Sequence, residues 1–193
     1  MSAYIGINDI AKKIQSIYVG QNNIAKKVLK VYIGDSNNKS HLVYNYDNRN
    51  YKNPIWTSQN NKQYSSTNFP LFKSNNDNRG WSDIFTSDFT LESGDTYELI
   101  VTHSIITSEQ FDSVGLTFKL MANSNIIKTL DMSYSGTTAI DRQEKISGII
   151  RDDFNGSFLK LNIFVEPYGE ITTSQSIDSI KLLVNDKYLI NVE

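Results

Sequence analysis

Apolar and polar positions alternate with a period of two through much of the chain. Tyr97, Leu99, Val101 and His103 fall on every second position, as do Val114, Leu116, Phe118 and Leu120. Such alternation turns one side of a strand toward a core and the other toward water. Strands are predicted over Tyr97 to His103, Val114 to Leu120, Ile126 to Met132, Lys145 to Arg151, Ser157 to Val165, Ile180 to Val184 and Tyr188 to Val192. Turn-forming clusters stand between them: Glu92-Ser93-Gly94-Asp95, Asn123-Ser124-Asn125, Phe154-Asn155-Gly156 and Asn185-Asp186. Asn, Asp and Gly accept the positive φ of tight turns, and Asn155-Gly156 reads as a hairpin joining the strands on either side of it. Strands recurring at this spacing without a comparable helical pattern predict an all-β chain, with a two-sheet, jelly-roll-like β-sandwich over residues 45–193.

The first 44 residues follow a different rule. Tyr4-Ile5-Gly6-Ile7-Asn8-Asp9-Ile10-Ala11-Lys12-Lys13-Ile14-Gln15-Ser16-Ile17 is followed at once by Tyr18-Val19-Gly20-Gln21-Asn22-Asn23-Ile24-Ala25-Lys26-Lys27-Val28-Leu29-Lys30-Val31, and a third copy opens with Tyr32-Ile33-Gly34. A unit this short cannot bury a face alone and has to stack on neighbours or on a partner. The segment 1–44 therefore reads as a docking or oligomerisation element. It is predicted to form a small β-meander with one strand per copy, Lys13 to Gly20 and Ala25 to Gly34 being rich in Ile, Val and Tyr. A short helix over Ile10 to Val19 is the alternative, since Ile10, Ile14 and Ile17 also fit helical spacing. The residues expected to carry docking or oligomerisation are Tyr4, Gly6, Ile14, Tyr18, Gly20, Val28, Tyr32 and Gly34.

Residues 45–80 are polar, Asn-rich and poor in aliphatics, too long for an ordinary loop, so short strands or an ordered excursion against the sandwich are expected. Tyr44, Tyr46, Tyr51, Trp56, Tyr64, Phe69, Phe72, Trp81 and Phe85 fall in one window from Tyr44 to Phe85, amid Asn, Ser, Thr and Gln. Aromatic planes beside amides suit glycan recognition, the ring taking the C–H face of a sugar and the amides its hydroxyls. The candidate glycan-binding residues are Trp56, Trp81, Tyr51 and Tyr64. The competing explanation is packing: a segment with few aliphatics uses its aromatics to anchor itself to the sandwich.

Charge and composition narrow the function classes. A formal net charge of -2 and a pI near 5.7 argue against a nucleic-acid or anionic-membrane binder. The lysines of the repeat read as a solvated face. The absence of cysteine removes disulfides, thiolate metal sites and thiol nucleophiles. The chain shows neither a signal-peptide-like apolar run nor a stretch long enough to insert in a membrane, so no membrane insertion is expected.

Catalytic patterns are lacking: the sequence holds no Gly-x-Ser-x-Gly elbow, His-Glu-x-x-His pair or phosphate-cradling glycine loop. His103, in phase with Tyr97, Leu99 and Val101, reads as a satisfied strand-end residue. Asp152 with Asp153, Asp83 with Asp88, and Glu166 with Glu170 are the carboxylate pairs a glycosidase could use, at separations the sequence does not fix. The loop Asn75-Asn76-Asp77-Asn78-Arg79-Gly80 is rich in oxygen donors, but it departs from the spacing of an EF-hand and reads as an Asx-turn loop. No enzyme activity, cofactor or metal is expected.

The unit Tyr-(Ile/Val)-Gly-x-Asn-x-Ile-Ala-Lys-Lys-(Val/Ile), at Tyr4 to Ile14 and Tyr18 to Val28, resembles the short N-terminal repeats of phage virion proteins. Phe85 to Leu99, in which Phe89 and Leu91 precede the Glu92-Ser93-Gly94-Asp95 turn and Tyr97 opens the next strand, is similar to a strand-turn-strand passage of carbohydrate-binding-module-like jelly rolls. The resemblance implies a phage virion structural protein of the head-fibre, tail-fibre or baseplate type. Its repeats would meet other virion proteins or form a homo-oligomer, a trimer being usual for phage fibres, and its sandwich would face a host-surface glycan. It would be made in the host cytoplasm and end in the virion. The alternatives from the residues are a stand-alone carbohydrate-binding module with the repeat as linker, and a cryptic glycan hydrolase.

Overall fold

The computed structural model describes residues 4–7, 10–13, 17–21, 24–28, 30–34, 40–45, 47–74, 81–107, 111–136, 140–168 and 173–193. Contacts divide the chain into two compact units, Met1–Arg49 and Asn50–Glu193. Both are built of strands.

In the first unit β1 (Tyr4–Ile7) pairs antiparallel with β2 (Ile10–Lys13), β3 (Ile17–Gln21) with β4 (Ile24–Val28), and β5 (Lys30–Gly34) with β6 (Ser40–Asn45), as three separate two-stranded sheets. The expectation of one strand per copy is corrected here: each copy is a hairpin of two strands. The first two share one register, Tyr4↔Lys13 and Gly6↔Ala11 recurring as Tyr18↔Lys27 and Gly20↔Ala25. The reversal falls inside each copy, where Asn8-Asp9 and Asn22-Asn23 separate the paired residues Ile7↔Ile10 and Gln21↔Ile24. The long runs Lys13 to Gly20 and Ala25 to Gly34 thus contain the junctions between hairpins. Residues of the alternative helix lie in β2 and β3. In the third copy Gly34 pairs with Ser40, with a register shift between Val31 and Tyr32.

The second unit is a sandwich. One sheet has six strands in the order β13-β12-β15-β10-β7-β8: β13 (Asn125–Gly136), β12 (Phe111–Ala122), β15 (Phe158–Tyr168), β10 (Trp81–Thr90), β7 (Trp56–Ser58) and β8 (Gln63–Tyr64). The other runs β14-β11-β16-β17, from β14 (Ile140–Ile149) through β11 (Thr96–Thr107) and β16 (Thr173–Val184) to β17 (Lys187–Val192), with β9 (Lys73–Ser74) also paired to β16. All pairings are antiparallel. The chain changes sheet between β10 and β11, β11 and β12, β13 and β14, β14 and β15, and β15 and β16, the alternation of a jelly-roll-like fold. The alternating residues meet in one core: Leu99 and Val101 from β11, Leu116, Phe118 and Leu120 from β12, Leu159, Leu161 and Ile163 from β15, and Ile180 and Leu182 from β16 are buried. Burial of this apolar surface is the main stabilising term.

Turn chemistry fixes two corners and overturns one expectation. Asn185 and Asp186 both take positive φ (50° and 62°) between β16 and β17, the geometry of a two-residue hairpin. At Asn155-Gly156 only Gly156 has positive φ (78°), while Asn155 sits at -60° behind a short 3-10 turn, Asp152–Phe154. The predicted hairpin is therefore absent. β14 pairs with β11, β15 with β10 and β12, and the segment crosses between sheets. Buried Ile150 and Phe154 hold the crossing to the core, and Leu91 and Gly94 bond to it through Ser157 and Ile150 carbonyls.

Candidate functional site

The aromatic window separates into a floor and a surface. Trp56 on β7 is fully buried, edge-on to Phe69 (5.8 Å, 89°), and Phe69 packs on Phe85 at 4.5 Å. Tyr51 is buried edge-on against Phe89 (4.9 Å, 62°); its hydroxyl accepts from Asn185 Nδ2 at 3.2 Å, and Lys187 Nζ lies 4.1 Å from its ring centroid. The expectation that Trp56 and Tyr51 present faces to a sugar is corrected: neither has a face to offer. Large rings supply most of the buried apolar surface of this segment, and packing against Phe85 and Phe89 of β10 consumes Trp56, Phe69 and Tyr51. Trp81 is partly buried against Phe72 (4.1 Å, 37°). Tyr46 and the loop 75–80 considered for calcium lie outside the described residues.

Tyr64 is different. It pairs with Trp56 across β7 and β8, and its ring rests on Phe69 (6.1 Å) and Phe85 (5.9 Å). The ring also borders an open groove of about 270 Å³ lined further by Asn53, Pro54, Ile55, Gln63, Ser65 and Asn68. The groove is held from several sides. Asp88 on β10 accepts from the Ile55 amide at 2.9 Å, Asn50 Oδ1 accepts from the Lys52 and Asn53 amides, and the β7 to β8 turn closes by a Ser58 amide bond to the Lys62 carbonyl at 2.9 Å. Asn68 Oδ1 accepts from both the amide and the hydroxyl of Ser65, which leaves its Nδ2 as the outward donor. Among the described residues, the side-chain amides of Asn53 and Gln63 and the Tyr64 hydroxyl make no hydrogen bond within the protein. Ile55, half exposed, adds apolar surface beside the ring.

Of the four glycan candidates, only Tyr64 lies in this groove. Asn53, Gln63, Ser65 and Asn68 were not singled out from sequence. The richness of the window in amides pointed to their chemistry. Which amides are consumed by local turns, as Asn68 Oδ1 is, depends on backbone geometry.

The other polar groups have structural tasks. Asp83 accepts from the Gln59 and Ile84 amides, and Asp95 accepts from the Glu92 amide and Asn185 Nδ2. Asp153 is exposed and paired with Arg151, and Asp152 accepts from the Ser93 hydroxyl. Glu166 is on β15, whereas Glu170 lies outside the described residues.

His103 lies within β11 rather than at its end and is fully buried. Its Nε2 is 3.0 Å from the Tyr134 hydroxyl on β13, a hydrogen bond from one sheet to the other. Its Nδ1 has no partner among the described residues, so the expected satisfied histidine is only half satisfied. Burial pulls its pKa below the usual imidazole value, against the opposing pull of Glu144, Asp178 and Asp141, with Arg142 adding to the lowering. Burial raises the Tyr134 hydroxyl. Asp178 sits at a bulge of β16 and accepts from Ser104 (2.5 Å) and Ser176 (2.6 Å). No cluster of three or more His, Cys, Asp or Glu among the described residues is arranged to hold a metal ion.

A second depression, about 320 Å³, lies across β14, β11 and β16 and includes Glu98, Ile149, Leu183 and Asp186. Its aromatic residue, Tyr97, is buried with its ring against Gly148. No stacking plane is exposed there.

No protein-family model and no curated protein matches the chain. Solved structures with some likeness include a cyclase from Fischerella sp. TAU in complex with 4-(1H-indol-3-yl)butan-2-one (14% identity, TM-score 0.39, covering 53% of this chain and 56% of that one). An apo cyclase from Fischerella sp. is 10% identical over 90% of this chain and 98% of its own, with TM-score 0.39. The infectious bursal disease virus VP2 subviral particle is 14% identical over 75% of this chain and 37% of its own, with TM-score 0.33. The chain thus spans little more than half of the first of these and about a third of the last. Likenesses at this level leave function to be argued from the chain's own residues. No helix among the described residues is long and apolar enough to cross a membrane.

Proposed function

We propose that this chain is a non-enzymatic virion structural protein of a phage. Its N-terminal repeats dock on other virion proteins or oligomerise, and its β-sandwich is displayed for decoration or host-surface attachment. The observation that carries this reading is the repeat at the level of backbone pairing: successive 14-residue copies fold as separate two-stranded sheets in one register. A two-stranded hairpin is marginal by itself in water. Tandem hairpins of one register are suited to repeated, equivalent contacts with a periodic partner or with other copies of the chain. The similarity of the Tyr-Ile-Gly and Ile-Ala-Lys-Lys elements to phage virion repeats supports the same reading, and a trimer is the assembly it suggests.

The test is infection with particles lacking this protein. Defective assembly or host adsorption is the expected result; particles that assemble and adsorb unchanged contradict the proposal. The groove beside Tyr64 favours one second reading, a stand-alone carbohydrate-binding module with the hairpins as a linker. That module would retain a glycan fully without residues 1–49 and would have no virion phenotype.

A further inference from the structure

Resting on the reading of the sandwich as a surface-attachment domain, we infer that the groove between the β7–β8 hairpin and residues 53–55 is a binding site for a single uncharged sugar ring of a neutral glycan. Three properties of the groove lead there. Its lining side chains carry no formal charge, so an anionic sugar or a phosphate-bearing polymer would find no counter-charge. Its one aromatic ring, Tyr64, is held by Phe69 and Phe85, so a ligand stacking on it meets a plane already ordered by the core. Around that ring, Asn53 and Gln63 offer both donors and acceptors, Asn68 an Nδ2 donor, and Tyr64 a hydroxyl.

That inventory matches a sugar, which pairs an apolar C–H face with hydroxyls able to both donate and accept. A purely apolar ligand would leave the amides unpaired, and a charged one would be desolvated without compensation. The volume, about 270 Å³, is just under the range of pockets that enclose drug-sized ligands. One ring fits, with the rest of the chain in solvent. Such a site is weak singly and gains from being presented in several copies, which an assembling N-terminal unit supplies.

The experiment is a titration of the full-length protein with a panel of neutral tetrasaccharides (of glucose, galactose, mannose and N-acetylglucosamine) and with tetragalacturonate as the anionic probe. Side-chain amide and backbone NMR resonances are the readout, with the same titration on Tyr64→Ala, Tyr64→Phe, Gln63→Ala and Tyr188→Ala. The expected result is saturable shifts at Asn53, Gln63 and Asn68 with at least one neutral probe and none with tetragalacturonate. Affinity should fall at least about tenfold in Tyr64→Ala and severalfold in Gln63→Ala, an exposed change that leaves the core intact, and should be retained in Tyr188→Ala. Tyr64→Phe, which keeps the plane, should lose less than Tyr64→Ala.

Binding that survives Tyr64→Ala and Gln63→Ala, or is lost in Tyr188→Ala, overturns the groove while leaving glycan attachment standing. Tighter binding of tetragalacturonate overturns the neutral-ligand assignment. Absence of shifts with every probe overturns the site and the glycan-attachment reading together, with the virion reading still decided by the infection test.

Discussion

The N-terminal unit and the sandwich pair their strands by opposite strategies. Each hairpin of the first unit pairs within one short stretch, β1 meeting β2 from Tyr4↔Lys13 to Ile7↔Ile10 and no further. In the sandwich, β11 is laddered on both sides along nearly its whole length, by β14 from Thr96↔Ile149 to Ile105↔Ile140 and by β16 from Tyr97↔Val184 to Thr107↔Thr173. Local pairing closes small loops and forms readily, yet a two-stranded hairpin is stable only with help from outside. Long-range pairing costs more chain entropy and is offset by a closed core. The sandwich thus has a buried core to stabilise its strands, whereas each hairpin is a separate two-stranded sheet.

The sharpest way to break the contrast is to damage the core. Phe85→Ala removes a fully buried ring in contact with Phe69 and Tyr64 and is expected to cost the sandwich about 3–5 kcal/mol. Urea unfolding followed by tryptophan fluorescence measures it, since both tryptophans lie in this unit. A shift well under about 1 kcal/mol would mean that the window does not pack as described.

Next in size is Gly148→Ala. An added Cβ would lie 2.5 Å from the Tyr97 hydroxyl oxygen and 2.7 Å from Cζ of a ring that is itself buried, so the ring or β14 must shift, for about 1–3 kcal/mol. The double change Gly148→Ala with Tyr97→Leu should recover part of that loss in the same urea assay.

The His103 to Tyr134 link predicts a pH dependence. Because burial lowers the folded pKa of His103 below the unfolded value of 6.5, the unfolded chain binds the proton first as pH falls. Stability is therefore undiminished by this group above pH 6.5 and declines as pH drops below it. His103→Gln retains a polar partner for the Tyr134 hydroxyl and should flatten that part of the stability profile; an unchanged slope would assign it to the carboxylates.

The smallest expected effect sharpens the comparison most. Deleting residues 1–49 should leave the unfolding free energy of the sandwich unchanged to within about 0.5 kcal/mol, because, among the described residues, its buried core is formed by residues of the second unit.

β11, β12 and the Ile180 to Val184 part of β16 were legible in the sequence because a buried face imposes period two along them; in β17 a bulge breaks the phase, so Leu189 is buried beside Ile190 and Tyr188 is half exposed. The Asn185-Asp186 hairpin was legible because both residues tolerate positive φ. Asn155-Gly156 misled because the same dipeptide also serves a crossing between sheets. Buried Ile150 and Phe154 decide between the two, and they are tertiary facts. The repeat announced itself by identity, but its junctions did not: Ile, Val and Tyr stand on both sides of each boundary between hairpins, so apolar content placed single strands across it.

In the site, chemistry was legible and accessibility was not. Aromatic-polar composition pointed to the stretch that holds Tyr64 and the amide-lined groove. Trp56 and Tyr64 face each other across β7 and β8, and whether a ring serves as floor or as surface is decided by how far the neighbouring segments cover it, which is a tertiary fact.

Solution mass from light scattering on a sizing column, for the full chain and for residues 50–193, tests whether the hairpins assemble the protein. The expected result is an oligomer that becomes a monomer on truncation. An oligomer retained by residues 50–193 would place assembly in the sandwich and contradict it.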